Sequence, residues 1–255
     1  MRSLSLYQQG DSILHKLDPL TKILYIVVAL ALPSITVLVK VSIACIISGL
    51  LLITFAKVLK NMVPIVSFST IVILTIFIIQ GMFYYANENV LFTLGPMTFY
   101  REGMLYALKI GLRIYNIITS VSLLVLTTRP SDLIEALVRK GLSPKIGYVL
   151  SSILQIIPQM TTMMNTITDA QRARGMETEG SLLVRMKAFI PLLGPMVMSS
   201  LVGTRERAMA LEVRAFSSSR KKTFLNKPME SAQSTIWRVV LLIILIGAVI
   251  WRVTS

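Results

Sequence analysis

The stretch Val63–Phe83, VPIVSFSTIVILTIFIIQGMF, carries no charge from end to end. A helix needs about 20 mainly apolar residues to cross the hydrocarbon core of a bilayer. This stretch meets that length, and Tyr84-Tyr85 just beyond it suits the aromatic belt of a membrane interface. It reads as one transmembrane helix.

The flanking sequence repeats the pattern. Leu20–Ala56 is apolar except for Lys22 and Lys40. That is too long for one crossing and suits two, joined as a tight helical hairpin whose turn lies at Pro33-Ser34 or at Lys40. Lys57 and Lys60 close the second span on a basic side. Beyond Phe83, Asn87–Gly103 is polar, with Gly95-Pro96 as a turn signal between Leu91–Leu94 and Met97–Tyr100, a candidate short hairpin. Met104–Leu126 is a fourth span. It holds Lys109 and Arg113, spaced i and i+4 on one face. Charges within a span face protein or water, or snorkel outward when they lie near its start. A last span runs over Ile236–Ile250, with Trp237 and Trp251 at its ends.

Composition agrees. Of 255 residues, 54% are hydrophobic and only 15% charged, and the mean hydropathy is +0.72. A soluble domain carries about 25% charged residues. The net charge of +14 could serve nucleic acid, but the basic residues lie between and beyond apolar spans, as the positive-inside rule requires. Nucleic acid is therefore not an expected partner; the lipid bilayer is. The single cysteine, Cys45, rules out an internal disulfide and a CxxC site. Residues 1–21 lack a short apolar core followed by a cleavage site, so no removable signal peptide is expected.

Arg129–Lys227 holds 15 Lys/Arg against 7 Asp/Glu, an excess of +8. Such a segment belongs on the cytoplasmic side, and four crossings back place the N-terminus there too. The expected organisation is an N-terminal membrane domain over 1–128, a cytoplasmic helical region over 129–230 and a C-terminal transmembrane helix over 231–255. In the basic region, Ser131 can cap a short helix ending at Gly141. Ser143 can cap a second, with Pro144 in its first turn, that runs through Pro158 to Arg174 and stops at Gly175. A third begins near Pro191 or Pro195 and fades into Ser217-Ser218-Ser219. These helices are apolar on one side and basic on the other, as suits a membrane surface. Arg220-Lys221-Lys222 reads as a topology anchor before the last span.

Two stretches in this region echo each other 40 residues apart: Asp169-Ala170-Gln171-Arg172-Ala173-Arg174-Gly175 and Met209-Ala210-Leu211-Glu212-Val213-Arg214-Ala215. In each, an alanine precedes an arginine by four positions and a small residue follows. Alanine and arginine then share a helix face, with Ala170 and Ala210 permitting close helix approach. Spacing alone also fits two basic helix ends, since arginine favours a helix C-terminus.

Ala173-Arg174-Gly175 and Val213-Arg214-Ala215 resemble the two Ala-Arg-Gly signatures of the T component of energy-coupling factor (ECF) transporters, the EcfT/CbiQ-like family. His15-Lys16-Leu17-Asp18-Pro19-Leu20-Thr21-Lys22 is similar to that family's N-terminal His…Asp-Pro-Arg-x-Lys stretch, with Leu20 where arginine is usual. Leu126-Thr127-Thr128-Arg129-Pro130-Ser131-Asp132-Leu133 looks like its Thr-Thr-x-Pro segment. The resemblance spans about residues 10–216. It implies an all-α integral membrane protein with about five transmembrane helices plus long cytoplasmic coupling helices. It further implies docking of Ala173, Arg174, Gly175, Val213, Arg214 and Ala215 on two ABC-type ATPase subunits, supported by Ala170 and Ala210. A small membrane substrate-binding S component would be the other partner. The cargo classes implied are vitamins, vitamin precursors and metal ions, and the setting is the plasma membrane of a prokaryote.

Chemistry elsewhere in the chain is sparse. There is no G-x-x-x-x-G-K-[ST] sequence, so ATP and Mg would be bound by partner subunits, and the chain itself is expected to hold no cofactor and no metal. His15 is the only histidine; capping the first span is the simpler role for His15 and Asp18. Met160, Met163 and Met164 suit either core packing or an adaptable partner surface. A stand-alone secondary carrier would need acidic groups within its spans, and none of the five has one. A membrane enzyme would need clustered carboxylates or a metal site. A conventional ABC permease would form a substrate pathway of its own.

The topology yields a first expected outcome. A cysteine placed at Ser218 stays unlabelled by an impermeant thiol reagent added to intact cells and reacts once the membrane is opened. Labelling from outside would reverse the orientation.

Overall fold

A computed structural model of the chain describes residues 7, 8, 10, 12–36, 38–85, 88–94, 97–176, 181–218, 220, 223–224 and 232–254. The elements run α1 (Ile13–Lys16), α2 (Pro19–Thr36), α3 (Val39–Phe55), α4 (Leu59–Phe83), β1 (Val90–Leu94), β2 (Met97–Tyr100), α5 (Arg101–Thr127), α6 (Pro130–Arg139), α7 (Pro144–Ala173), α8 (Leu182–Val213) and α9 (Ala232–Thr254). The chain forms two compact units, Met1–Lys140 with Lys227–Ser255, and Gly141–Asn226. α6, which the sequence reading grouped with residues 129–230, lies in the first unit.

Among the described residues, α2, α4, α5 and Ser234–Thr254 of α9 are long and apolar enough to cross a membrane, and α3 is a shorter apolar helix of 17 residues. The all-α membrane reading holds. α2 ends at Thr36 and α3 begins at Val39, with Leu38 as its N-cap. Pro33 lies inside α2 and Lys40 in the first turn of α3, so neither marks the break. β1 and β2 pair antiparallel as expected, with Phe92 stacked on Phe99 at 4.8 Å between ring centroids. The Gly95-Pro96 turn itself lies outside the described residues, as do Lys221 and Lys222 of the basic run and Ser219 before it.

α5 is the hub of the first unit, packing against α2, α3 and α4. Its inward face is small and polar: Gly103, Ala107 and Gly111, then Asn116, Thr119, Ser120 and Ser122. Apolar burial drives little helix association inside lipid, so close backbone approach takes over, and small residues permit it. A Cβ at Gly111 would stand 3.1 Å from Ile73 of α4, and one at Gly49 of α3 only 2.6 Å from Thr119. Asn116 donates from Nδ2 to the carbonyl of Ala29, fastening α5 to α2. The outward faces carry bare apolar side chains such as Phe68, Ile71, Leu51 and Ile243, as lipid-facing surfaces do.

At one end of this bundle, two stretches far apart in sequence close on each other. Lys22 is only 4% exposed. Its Nζ donates to the Thr127 carbonyl at 3.1 Å and to Thr128 Oγ1 at 2.9 Å. Gln8 N–H donates to the Leu126 carbonyl at 3.0 Å, and the Arg129 guanidinium lies over the Tyr7 ring at 5.1 Å. His15 is buried, hydrogen-bonded to Ser12 Oγ and the Gln8 carbonyl. Asp18 sits just before α2 and accepts the Thr21 and Lys22 N–H groups on its carbonyl. Its carboxylate pairs with Arg238 of α9, whose Nε donates to Thr21 Oγ1 at 2.9 Å. The last span is thus locked to the first through Asp18 and Arg238.

Ser131 does not cap α6. The helix begins two residues earlier, with Arg129 as N-cap and Pro130 in the first turn, because proline fixes a helical φ and lacks the N–H that would go unpaired there. Gly141 ends the segment at φ +118, as expected for a helix stop.

Removing Arg238 leaves the Asp18 carboxylate buried without its partner, and removing Asp18 leaves the half-buried Arg238 guanidinium without its own. Asp18→Asn and Arg238→Gln should each lower thermal stability in mild detergent, and the double variant should lose about 1–3 kcal/mol less than the sum. Strict additivity would show that the pair is not coupled.

Candidate functional site

The second unit is a pair of long helices. α7 starts at Ser143 and Pro144, as the sequence suggests, although the Ser143 side chain makes no capping bond. It runs unbroken through Pro158. α8 begins at Leu182, well before Pro191 and Pro195, and both prolines lie inside it. The expected start at either proline is therefore wrong. Each proline removes one backbone donor, but the neighbouring turns carry the helix across the gap.

The helices run antiparallel. Arg207 of α8 donates to Gln159 of α7. Earlier on α7, Tyr148 packs on Phe216, just beyond the end of α8, with ring centroids 5.3 Å apart. Arg174 lies 15 residues beyond Gln159, and Arg214 lies 7 beyond Arg207 in the opposite sense. At about 1.5 Å per residue, the two arginines stand on the order of 30 Å apart, one at each end of the pair.

The two signatures end their helices in the same way. In the first, Gly175 N–H donates to Arg172 O at 2.9 Å and Met176 N–H to Gln171 O at 3.1 Å. In the second, Ala215 N–H donates to Glu212 O and Phe216 N–H to Leu211 O, both at 2.9 Å. This paired pattern is the Schellman motif, in which the residue after the cap turns left-handed. Gly175 does so at φ +84 and Ala215 at φ +52. Arg174 and Arg214 are the cap residues, with nearly equal backbone angles of φ −88, ψ 9 and φ −79, ψ 5. The echo seen in sequence is thus an equivalence of backbone geometry.

The eight residues of the two echoing signatures are all exposed. Ala170, Ala173, Arg174 and Gly175 are exposed, as are Ala210, Arg214 and Ala215, and Val213 is 88% exposed. Neither Arg174 nor Arg214 joins an ion pair among the described residues. Each presents a planar fork of donors at the negative end of a helix, ready for a carboxylate or for helix-end carbonyls of another chain. Met160, Met163 and Met164 are half-buried, so packing and partner contact both remain compatible with them. No group of three or more His, Cys, Asp or Glu side chains suited to a metal ion occurs among the described residues.

Sequence reasoning missed the left-handed turn at Ala215 and the part played by Phe216. The signal was present: an apolar residue two places after the cap commonly packs back on the helix in this motif, and Leu211 and Phe216 stand at those two positions. An alanine where glycine is favoured concealed it.

Residues 10–224 match the family model CbiQ, described as cobalt transport protein. The chain is 33% identical over 261 residues to the energy-coupling factor transporter transmembrane protein EcfT of Brevibacillus brevis, covering 96% of both chains. It is 34% identical to the protein of that name from Clostridium kluyveri, covering 82% of both. For the Streptococcus equi subsp. equi protein the identity is 29%, over 98% of this chain and 95% of the relative.

A left-handed alanine costs about 1 kcal/mol more than glycine. Ala215→Gly should therefore stabilise the end of α8 by about that amount, and Gly175→Ala should destabilise the end of α7 similarly. Hydrogen exchange at Phe216 and Met176 N–H reads both ends separately. Equal protection before and after substitution would refute the left-handed assignment.

Proposed function

The chain belongs to the CbiQ family and is similar over nearly its whole length to EcfT transmembrane proteins of energy-coupling factor transporters, and on that premise we propose that it is the scaffold and energy-coupling subunit of an ECF-type importer. It is a multi-pass membrane protein. In this reading Arg174 and Arg214 each dock in a groove of one of two ABC-type ATPase subunits, with Ala173, Gly175, Val213 and Ala215 against the groove walls. Ala170 and Ala210 keep the approach close. ATP and Mg are bound by those subunits, and this chain contributes no catalytic group.

The observation that carries the proposal is the pair of matching, exposed helix ends at opposite ends of one antiparallel helix pair. Two equivalent arginines on the order of 30 Å apart suit two equivalent partners better than one. A guanidinium at a helix end forms charge-assisted, two-pronged bonds to a carboxylate, stronger than neutral ones. A long helix held to its neighbour at Gln159–Arg207 and Tyr148–Phe216 can carry a push from one end to the other. When the ATPases close, α7 and α8 would shift and tip a substrate-binding S component so that it releases its cargo inside. The cargo would be a vitamin, a vitamin precursor or a metal ion, chosen by the S component. The basic excess of residues 129–230 supports a cytoplasmic position for this region and for the N-terminus.

Arg174→Glu with Arg214→Glu tests the assignment. The double variant should insert at normal levels while transport and transport-linked ATP hydrolysis fall roughly tenfold or more, since a docked charge is turned against its groove. Transport at the normal rate would sink the coupling role.

A further inference from the structure

Lys109 and Arg113 remain unexplained by the coupling reading. Both are exposed on α5, and neither pairs with an acid among the described residues. Their depth follows from the register between α4 and α5. Gly111 lies against Ile73, where a Cβ would meet Ile73 Cγ2 at 3.1 Å. On either side, Tyr115 shares a 2.8 Å hydrogen bond with Thr70, and Met104 lies against Gly81. The chain is uncharged between Lys60 and Glu88, and the middle of that run falls at Ile73–Leu74. Lys109 and Arg113 stand two residues either side of Gly111, so each is about 3 Å along the axis from that middle level.

The choice between snorkelling and facing a partner is thereby decided. From about 3 Å off mid-bilayer the nearest interface is about 12 Å away, farther than an arginine side chain reaches. The two cations share a row with Leu105, Ile117 and Val121, all exposed. Lipid on that row would leave two charges in hydrocarbon, an arrangement avoided unless protein or water meets them. A second copy of this chain offers no remedy, because none of its spans has an Asp or Glu in its interior.

We propose that the α5 row Leu105–Lys109–Arg113–Ile117–Val121 is the seat of a transmembrane helix from a different membrane subunit, one carrying an Asp or Glu at mid-depth that pairs with Lys109 and Arg113. Paired, the charges hold register and orientation; the flanking apolar residues pack against the partner's backbone. This surface is separate from the Arg174 and Arg214 helix ends and stands or falls independently of their docking.

The test places a photo-crosslinking amino acid at Ile117 in the full chain in its native membrane and sequences the product. The expected product joins a transmembrane helix of another protein with an acidic residue within one turn of the crosslink. Lys109→Met with Arg113→Met should cut crosslink yield at least tenfold while membrane abundance and thermal stability of this chain hold or rise. Arg113→Glu should also abolish the product, and arginine at the partner's acidic position should restore it. The proposal is overturned by crosslinks only to lipid or to a second copy. It is equally overturned by yield unchanged in the methionine variant, or by loss of folded chain in that variant, which would make the cations structural.

Discussion

Lys22 is a charged amine in an almost waterless place, and much of the first unit is arranged around satisfying it. Its Nζ finds the Thr127 carbonyl and the Thr128 hydroxyl at the point where α5 runs out of backbone partners. Those acceptors are available because Pro130 starts a new helix immediately afterwards and interrupts the old ladder. Asp18 stands four residues before Lys22, where its carbonyl accepts the Lys22 N–H at the start of α2. Asp18 in turn takes Arg238. A helix start, a helix end, the α6 turn and the last span therefore share one polar knot. Removing any member would leave a buried group without a partner, which costs more than the bond itself contributes.

The knot matters because the rest of the bundle has little else to choose its arrangement. In lipid, an apolar face gains almost nothing by leaving one apolar neighbour for another. Specificity must come from shape and from polar groups. The glycine and alanine positions of α5 let α3 and α4 approach, and Thr119 fills the space that Gly49 leaves open. Hydroxyls along the spans, such as Thr70 and Thr127, bond back to carbonyls four residues earlier, so they enter the membrane already satisfied. Lys109 and Arg113 depart from that economy, which is why they point outside the chain for their explanation.

The second unit follows another logic. α7 and α8 expose most of both helices, including apolar residues such as Leu182, Met198 and Val213. Few contacts hold them, chiefly Arg207 with Gln159 and Tyr148 with Phe216. What is controlled tightly is how each helix stops. The same two backbone bonds fix the direction of Arg174 and of Arg214, and Ala215 accepts a left-handed backbone to preserve that match. A left-handed alanine at this exposed helix end costs about 1 kcal/mol relative to glycine.

The sequence by itself determined which segments enter the membrane, because span length and charge are local properties set by bilayer thickness and by the cost of buried charge. It also marked the helix stops at Gly141 and Gly175, since glycine alone adopts the left-handed turn without penalty. The spacing of Arg174 and Arg214 was equally legible. It did not reveal that the His15–Lys22 and Leu126–Leu133 stretches are one structure, or that Arg238 reaches Asp18 across more than two hundred positions. Nor did it reveal the true start of α8, where the prolines at 191 and 195 signalled a boundary that the helix overrode. The depth of Lys109 and Arg113 was likewise out of reach, because depth depends on the register between α4 and α5. Those outcomes are pairings between distant segments. Only tertiary structure decides them, since a polar group in a dry interior takes whichever partner packing brings within reach.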